Sequence, residues 1–458
     1  MTKAILAFFL SITFLFSSDS ESVKFPDLTM TWVGIISVII FIIGYYFIAA
    51  EEKYHVDKSK PALFIGTFLF FLLAFYYATN GLDMNLVHTE ANHMILEISG
   101  IFFFLFVAMT YIESLIHMGV FDTLKYNLVS KGYTYRKLYW VTGFLAFFIS
   151  PIADNLTTAL ILSTVLITID KTKKEFLVPG AINIVVAANA GGAWSPFGDI
   201  TTLMVWTAGK GVFTDFFYLF PSAFVGYLVT AFLLSRFVPQ TKPDFDITTE
   251  FKPKMMQGAT TVMFLGVITI ASAVFGHQVL HIPAMWGMLF GLSLLKLYSY
   301  RLKKVYKSEF NVFYSMSKIE NNTLLFFFGI LAAVGALHFA GWLSLAVVVY
   351  DSSMLGPTIT NICVGFLSAF VDNVPVMSAV LKADPSMGLD QWMLVTMTAG
   401  IGGSLISFGS AAGVGVMGKL QGIYTFDSHM KYAWTIFVGY VASIAIWYLQ
   451  YEIIGITH

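Results

Sequence analysis

Three aspartates stand inside otherwise apolar stretches of the chain, each beside helix-breaking or polar residues. Asp154 lies in Ser150-Pro151-Ile152-Ala153-Asp154-Asn155-Leu156-Thr157-Thr158, and Asp372 in Ser368-Ala369-Phe370-Val371-Asp372-Asn373-Val374-Pro375. Asp199 closes the longer motif Asn189-Ala190-Gly191-Gly192-Ala193-Trp194-Ser195-Pro196-Phe197-Gly198-Asp199 and is followed by Ile200-Thr201-Thr202. No lysine or arginine occurs in these motifs, so a mobile cation or a proton is the natural partner of the carboxylates. Proline lacks an amide donor and glycine weakens a helix, which frees backbone carbonyls here. Carboxylate, amide, hydroxyl and carbonyl oxygens together form the hard ligand set that small cations such as Na⁺ or Li⁺ prefer. A carboxylate that binds such an ion can instead bind a proton, so the two can compete for one site.

Composition shows what must hold these groups. Of 458 residues, 57% are hydrophobic and 12% charged, where a soluble chain carries about 25% charged residues. The chain is therefore expected to be an all-α polytopic membrane protein in a lipid bilayer. A formal charge of −1 leaves no basic surplus for nucleic acid, which is excluded as a partner. The single cysteine, Cys363, rules out an internal disulfide or a cysteine metal cluster. Residues 1–22, with Lys3 before the apolar run Ala4 to Phe16, read as a signal peptide or a short N-terminal helix.

Apolar runs lie at about 31–50, 62–79, 94–119, 138–169, 176–208, 215–237, 259–276, 284–298, 322–382 and 391–454. Basic residues gather at 53–60, 125–137, 171–174, 236–254, 296–318 and 419–431, whereas the connections 80–93, 277–283 and 342–354 have none. With basic segments cytoplasmic, the chain starts outside and residues 138–170 are flanked by cytoplasmic charge at both ends. Thirty-three residues are too few for two crossings of about 20 each, so a re-entrant hairpin is expected, with its tip near 150–157. Polar backbone at that depth is tolerated only where it is buried or lines a cavity. The run 176–208 reads as a broken helix.

The second half repeats this plan in the opposite orientation. A first repeat spans 31–237 and a second 259–454, the latter with a hairpin at about 342–382 and a broken helix at about 391–418. Gly191-Gly192 and Phe197-Gly198 recur as Gly402-Gly403 and Phe408-Gly409, each 211 positions on. Two inverted-topology repeats of this kind place a transporter's site near the bilayer midplane.

The motifs around Asp154, Asp199 and Asp372 resemble those of the NhaD-type Na⁺/H⁺ antiporters of the ion transporter superfamily, from about residue 30 to the C-terminus. The resemblance implies secondary exchange of Na⁺ or Li⁺ for H⁺ with no enzyme activity and no cofactor. It further implies a homodimer, elevator-type motion and a place in the bacterial cell membrane. The motif positions that carry over are Ser150, Asp154, Asn155, Thr157, Asn189, Asp199, Thr201 and Thr202 in the first half. In the second half they are Ser368, Asp372, Asn373, Ser407 and Ser410. Asp154, Asn155, Asp199, Asp372 and Asn373 are the expected Na⁺ ligands, and Glu320 matches an acidic position suited to pH response or ion access. Ser410 stands opposite Asp199 and Ala412 opposite Thr201, so charge concentrates in the first half. Asp154 and Asp199 are accordingly favoured over Asp372 as shared proton and cation carriers.

Plainer readings exist beside these. Asp154 and Asp372 suit helix N-caps. His277 and His281 have a spacing that can bind metal on a helix, yet they fall in a predicted external loop and suit a structural role. A sodium-coupled carboxylate or anion symporter would share the architecture, though aspartates at the tips would repel its substrate. A passive cation channel and an intramembrane aspartyl protease are the remaining alternatives. The protease reading is the weaker, because Tyr350-Asp351 and Gly198-Asp199 come in reversed order and Pro196 displaces an expected glycine.

Overall fold

The computed structural model describes residues 26–54, 56–243, 253–351 and 356–455, and these are helical with no strand among them. The segment 1–22 lies outside the described residues. The helices of interest are α1 (Trp32–Ala49), α2 (Ser59–Thr79), α3 (Met84–His117), α4 (Val120–Val129), α5 (Tyr135–Ala153), α6 (Asn155–Ile169), α7 (Lys174–Gly192), α8 (Ile200–Thr207), α9 (Phe220–Ser235) and α10 (Ala259–Gln278). They continue with α11 (Met285–Tyr306), α12 (Val312–Lys318), α13 (Asn321–Phe339), α14 (Ser344–Tyr350), α15 (Gly356–Phe370), α16 (Asn373–Ala383), α17 (Leu389–Gly402), α18 (Ala411–Lys419), α19 (Phe426–Met430) and α20 (Ala433–Tyr448). Eight helical stretches among the described residues are long and apolar enough to cross a membrane.

Two compact units share the chain. One is built from the described residues within 26–96, 325–360 and 378–387. Within it, α1 packs on α2, and Gly66 lets the α2 backbone approach the Gly329 carbonyl of α13. Tyr77 stacks on Phe339 at 5.0 Å, and the Trp342 indole donates to the Gly34 carbonyl at 3.1 Å.

The other unit, the described residues within 97–324, 361–377 and 388–455, holds all three aspartate motifs. Here α5 ends at Ala153 and α6 starts at Asn155, with Asp154 between them at φ 56°. The two helices run antiparallel, because the Tyr135 hydroxyl at the start of α5 donates to Asp170 just past the end of α6, at 2.6 Å. Burial alone would raise the Asp170 carboxyl. Donation from Tyr135, Thr172 and the Lys173 amide outweighs it and holds the group at about 2. Helix α7 is buried along almost its whole length and stops at Gly192, a non-helical segment follows, and α8 resumes at Ile200. The pair α17 and α18 is interrupted in the same way between Gly402 and Ala411.

Equivalent contacts recur in the two interrupted pairs. Ser150 Oγ donates to the Ala188 carbonyl at 2.6 Å, and Ser368 Oγ to the Ala399 carbonyl at 2.7 Å. A methyl group on Gly192 would fall 2.5 Å from the Gly198 carbonyl oxygen, and one on Gly403 2.7 Å from that of Gly409. Glycine is required at both places because backbone meets backbone.

Several boundaries depart from the hydropathy reading. The connection expected at 80–93 is helical from Met84, and α3 runs 34 residues, about 50 Å at 1.5 Å per residue. The Asp83 carboxylate accepts the Asn85 amide at 2.9 Å at this helix start, and polar residues can continue a helix that hydropathy no longer marks. Likewise α11 extends past residue 298 to Tyr306, through Arg301, Lys303 and Lys304. The stretch from 342 contains a separate short helix, α14, ahead of α15.

Candidate functional site

Asp199 is the N-cap of α8. Its extended backbone (φ −146°, ψ 149°) turns the side chain back so that Oδ1 accepts the Thr201 amide at 3.0 Å. The other oxygen, Oδ2, accepts two side-chain amides from separate parts of the sequence. Asn155 Nδ2, in the first turn of α6, donates at 2.8 Å, and Asn373 Nδ2, in the first turn of α16, at 3.0 Å. These asparagines follow Asp154 and Asp372 in the two tip motifs, so one carboxylate joins both tips. All three residues are buried.

Asn189 extends the cluster into the second interruption. Its Oδ1 accepts a second bond from Asn155 Nδ2 at 3.1 Å, while its Nδ2 donates to Ser404 Oγ at 2.8 Å and Ser410 Oγ at 2.9 Å. Ser410 is the N-cap of α18 (φ −144°, ψ 154°) and accepts the Gly413 amide, so it repeats the conformation of Asp199 with a neutral hydroxyl.

Other candidates stand around this cluster. Asp154 caps α6 and spends both oxygens on Thr157, accepting its amide at 2.8 Å and its hydroxyl at 2.7 Å. Asp372 accepts the Val374 amide at 3.3 Å and directly precedes Asn373, whose Nδ2 reaches Asp199 Oδ2. Thr201 is buried beside Asp199, and Thr202 Oγ1 donates to the carbonyls of Ser195 and Asp199 at 2.9 and 2.6 Å. Ser150 and Ser368 anchor helices rather than touching the carboxylate. Ser407 is buried with no hydrogen-bond partner for its hydroxyl, as is Thr158 next to Thr157. An orphan buried hydroxyl costs about 1–3 kcal/mol.

Glu320 is outside the cluster. It is exposed just before α13, in the neighbourhood of Glu113 and Lys318. His277 does not pair with His281. Its Nε2 meets the Trp206 carbonyl at 3.3 Å and its ring lies 4.6 Å from the indole. Among the described residues no group of three or more His, Cys, Asp or Glu could hold a metal ion.

Three polar residues escaped the motif reading. Ser404 receives the Asn189 amide, Ser195 Oγ donates to the Pro151 carbonyl at 2.9 Å, and Thr158 carries one of the buried hydroxyls without a hydrogen-bond partner. Ser404 stood directly after Gly402-Gly403, but its place opposite Ala193 in the repeat gave it no polar counterpart.

What the cluster offers is a buried carboxylate, a second carboxylate close by, and amide and hydroxyl oxygens around them. The sequence profile of the CitMHS family, described as a citrate transporter, matches residues 28–400. The chain is 42% identical over 446 residues to the Na(+)/H(+) antiporter NhaD of Alkalimonas amylolytica, covering 92% of this chain and 91% of that one. It is 44% identical over 408 residues to the Na(+)/H(+) antiporter NhaD of Vibrio parahaemolyticus, covering 84% and 97%. The chain belongs to the NhaD family. A more distant relative is sodium/proton antiporter 1 of Arabidopsis thaliana, 29% identical over 432 residues and covering 91% and 73%. Membership of the NhaD family agrees with the resemblance seen in the tip motifs.

Proposed function

We propose that the protein exchanges Na⁺ or Li⁺ for H⁺ across a bacterial inner membrane, with cation and proton competing for the cluster centred on Asp199. The observation that carries this reading is the convergence of Asn155 and Asn373 on one oxygen of a buried carboxylate. None of the groups hydrogen-bonded to Asp199 is cationic. The empty, ionised site is thus a buried charge facing a second carboxylate, and carrying it through a low-dielectric barrier costs several kcal/mol. A bound Na⁺ or a bound proton removes most of that penalty. Rearrangement is then permitted only when the site is loaded by one or the other, which is sufficient for exchange. Because Asn155 and Asn373 begin different helices, the loading state of one carboxylate reaches both tips at once.

In this reading α5 and α6 form a re-entrant hairpin from the cytoplasmic side. Helices α15 and α16 form its counterpart from the outside, and the interrupted pairs α7–α8 and α17–α18 cross at the midplane as inverted repeats. The matched anchors Ser150 to Ala188 and Ser368 to Ala399 support that arrangement. Asp154, Thr157, Thr201, Thr202, Asp372, Ser407 and Ser410 complete the binding region, Glu320 serves ion access or pH response, and two copies associate as a dimer.

A sodium-coupled carboxylate symporter is the second reading, favoured by the description of the matching family profile. The paired carboxylates Asp199 and Asp372 oppose an anionic substrate. In everted vesicles with an imposed proton gradient, Na⁺ or Li⁺ added at pH 7 to 9 is expected to collapse the gradient, and citrate is not. A response to citrate with Na⁺, and none to Na⁺ alone, would establish the symporter instead.

A further inference from the structure

Most glycines that flank the two helix interruptions have steric reasons for being glycine, and Gly400 does not. A methyl group at Gly191, Gly192, Gly198, Gly402, Gly403, Gly409 or Gly413 would collide with backbone. Gly400, in the last turn of α17, is buried yet has only two atoms within 4 Å of where its Cβ would lie. These are Ala193 Cβ at 3.7 Å and Asp199 Oδ2 at 3.9 Å, both at ordinary contact distance. Its φ is not positive either, so the backbone does not demand glycine, and glycine weakens a helix relative to alanine. What the missing side chain does achieve is room beside the carboxylate oxygen on which both tip asparagines converge. In the repeat, Gly400 stands 211 positions after Asn189. The first half therefore fills this position with an amide and the second leaves it empty.

We propose that the room left by Gly400 beside Asp199 is part of the volume filled by the transported cation, so that residue 400 limits the size of ion accepted. The inference rests on the reading that the Asp199 cluster carries Na⁺ or Li⁺. A methyl group at 3.9 Å from Oδ2 touches no backbone, so the alanine variant should fold. It narrows the space beside Oδ2, and the smaller Li⁺ tolerates this better than Na⁺.

The test compares wild type and Gly400→Ala in proteoliposomes, measuring exchange against Na⁺ and Li⁺ concentration, with thermal unfolding of the purified proteins alongside. The KM for Na⁺ is expected to rise about fivefold or more and that for Li⁺ distinctly less, with Tm unchanged or higher. KM values that stay within about twofold of wild type for both ions, or that rise by the same factor, would overturn the inference. A Tm lowered by about 5 °C or more would also overturn it, because the position would then be packed rather than open. Failure of wild-type protein to exchange either ion would instead remove the antiport reading, and this inference with it.

Discussion

Asp199→Asn removes the charge of the proposed carrier while keeping its shape. Three donors meet the native carboxylate: the Thr201 amide at Oδ1, and Asn155 and Asn373 at Oδ2. A carboxamide has one oxygen, so it serves the two asparagines best by turning its NH₂ toward the Thr201 amide. That forfeits the cap on α8, about 1 kcal/mol. The two retained bonds fall from about 1.5–3 kcal/mol each with a charged acceptor to about 0.5–1.5 with a neutral one. Against this loss of about 3–4 kcal/mol stands the cost of a buried ion beside Asp372, several kcal/mol that the variant no longer bears. The two nearly cancel, so the protein is expected to fold with stability within about 2 kcal/mol of wild type. Exchange should vanish, because a carboxamide neither titrates in the working range nor neutralises a cation. The assay is Na⁺-driven proton movement in proteoliposomes, with unfolding followed on the same preparation. Exchange above about a tenth of wild type would refute the carrier role, and a variant that cannot be recovered folded would refute the cancellation.

Asp154→Asn keeps a competent N-cap on α6 and is expected to abolish exchange in folded protein. Normal exchange would leave Asp154 only the capping role its two bonds to Thr157 show. Asp372→Asn removes the charge next to Asn373, which binds Asp199, and should shift the cation concentration for half-maximal exchange, whereas an unchanged dependence would make Asp372 a helix cap. Burial holds the His429 imidazole, whose Nε2 faces the Leu405 carbonyl, down to about 4 against the usual 6.5. The unfolded chain gains a proton over that window that the folded one refuses, so stability is full above about pH 6.5 and declines by about 3 kcal/mol as pH falls toward 4. His429→Gln should flatten that decline in unfolding measured against pH. Cysteines introduced at Asn80 and Ser130 should react with an impermeant reagent from outside and from inside respectively, and the reverse pattern would invert the proposed topology.

The three aspartates were legible because charged residues in apolar runs are costly, and the motif positions that the family resemblance carried over include Asn155, Asn189, Asp199 and Asn373, which the fold brings into one hydrogen-bonded cluster. Their pairing was not legible. Nothing in the spacing of residues 155, 199 and 373 says that both asparagines share Oδ2, since that contact belongs to the tertiary fold. Asp154 and Asp199 looked alike as intramembrane carboxylates, yet local cap geometry binds one to Thr157 and presents the other to two helices. Ser404 and Gly400 were missed for opposite reasons. A serine beside two glycines reads as part of a break, and a glycine's contribution is the space it leaves. Hydropathy likewise located the apolar core of α3 but not its first turns, where polar residues continue the helix.

The central claim is that cation and proton share Asp199, and proton release on binding tests it most directly. Purified protein in weakly buffered detergent solution, near the middle of its active pH range, is titrated with Na⁺ while pH and heat are followed together. Wild type should bind Na⁺ with release of protons, more at lower pH, and Asp199→Asn should do neither. Saturable Na⁺ binding to wild type with no proton release at any pH would contradict competition for a shared carboxylate.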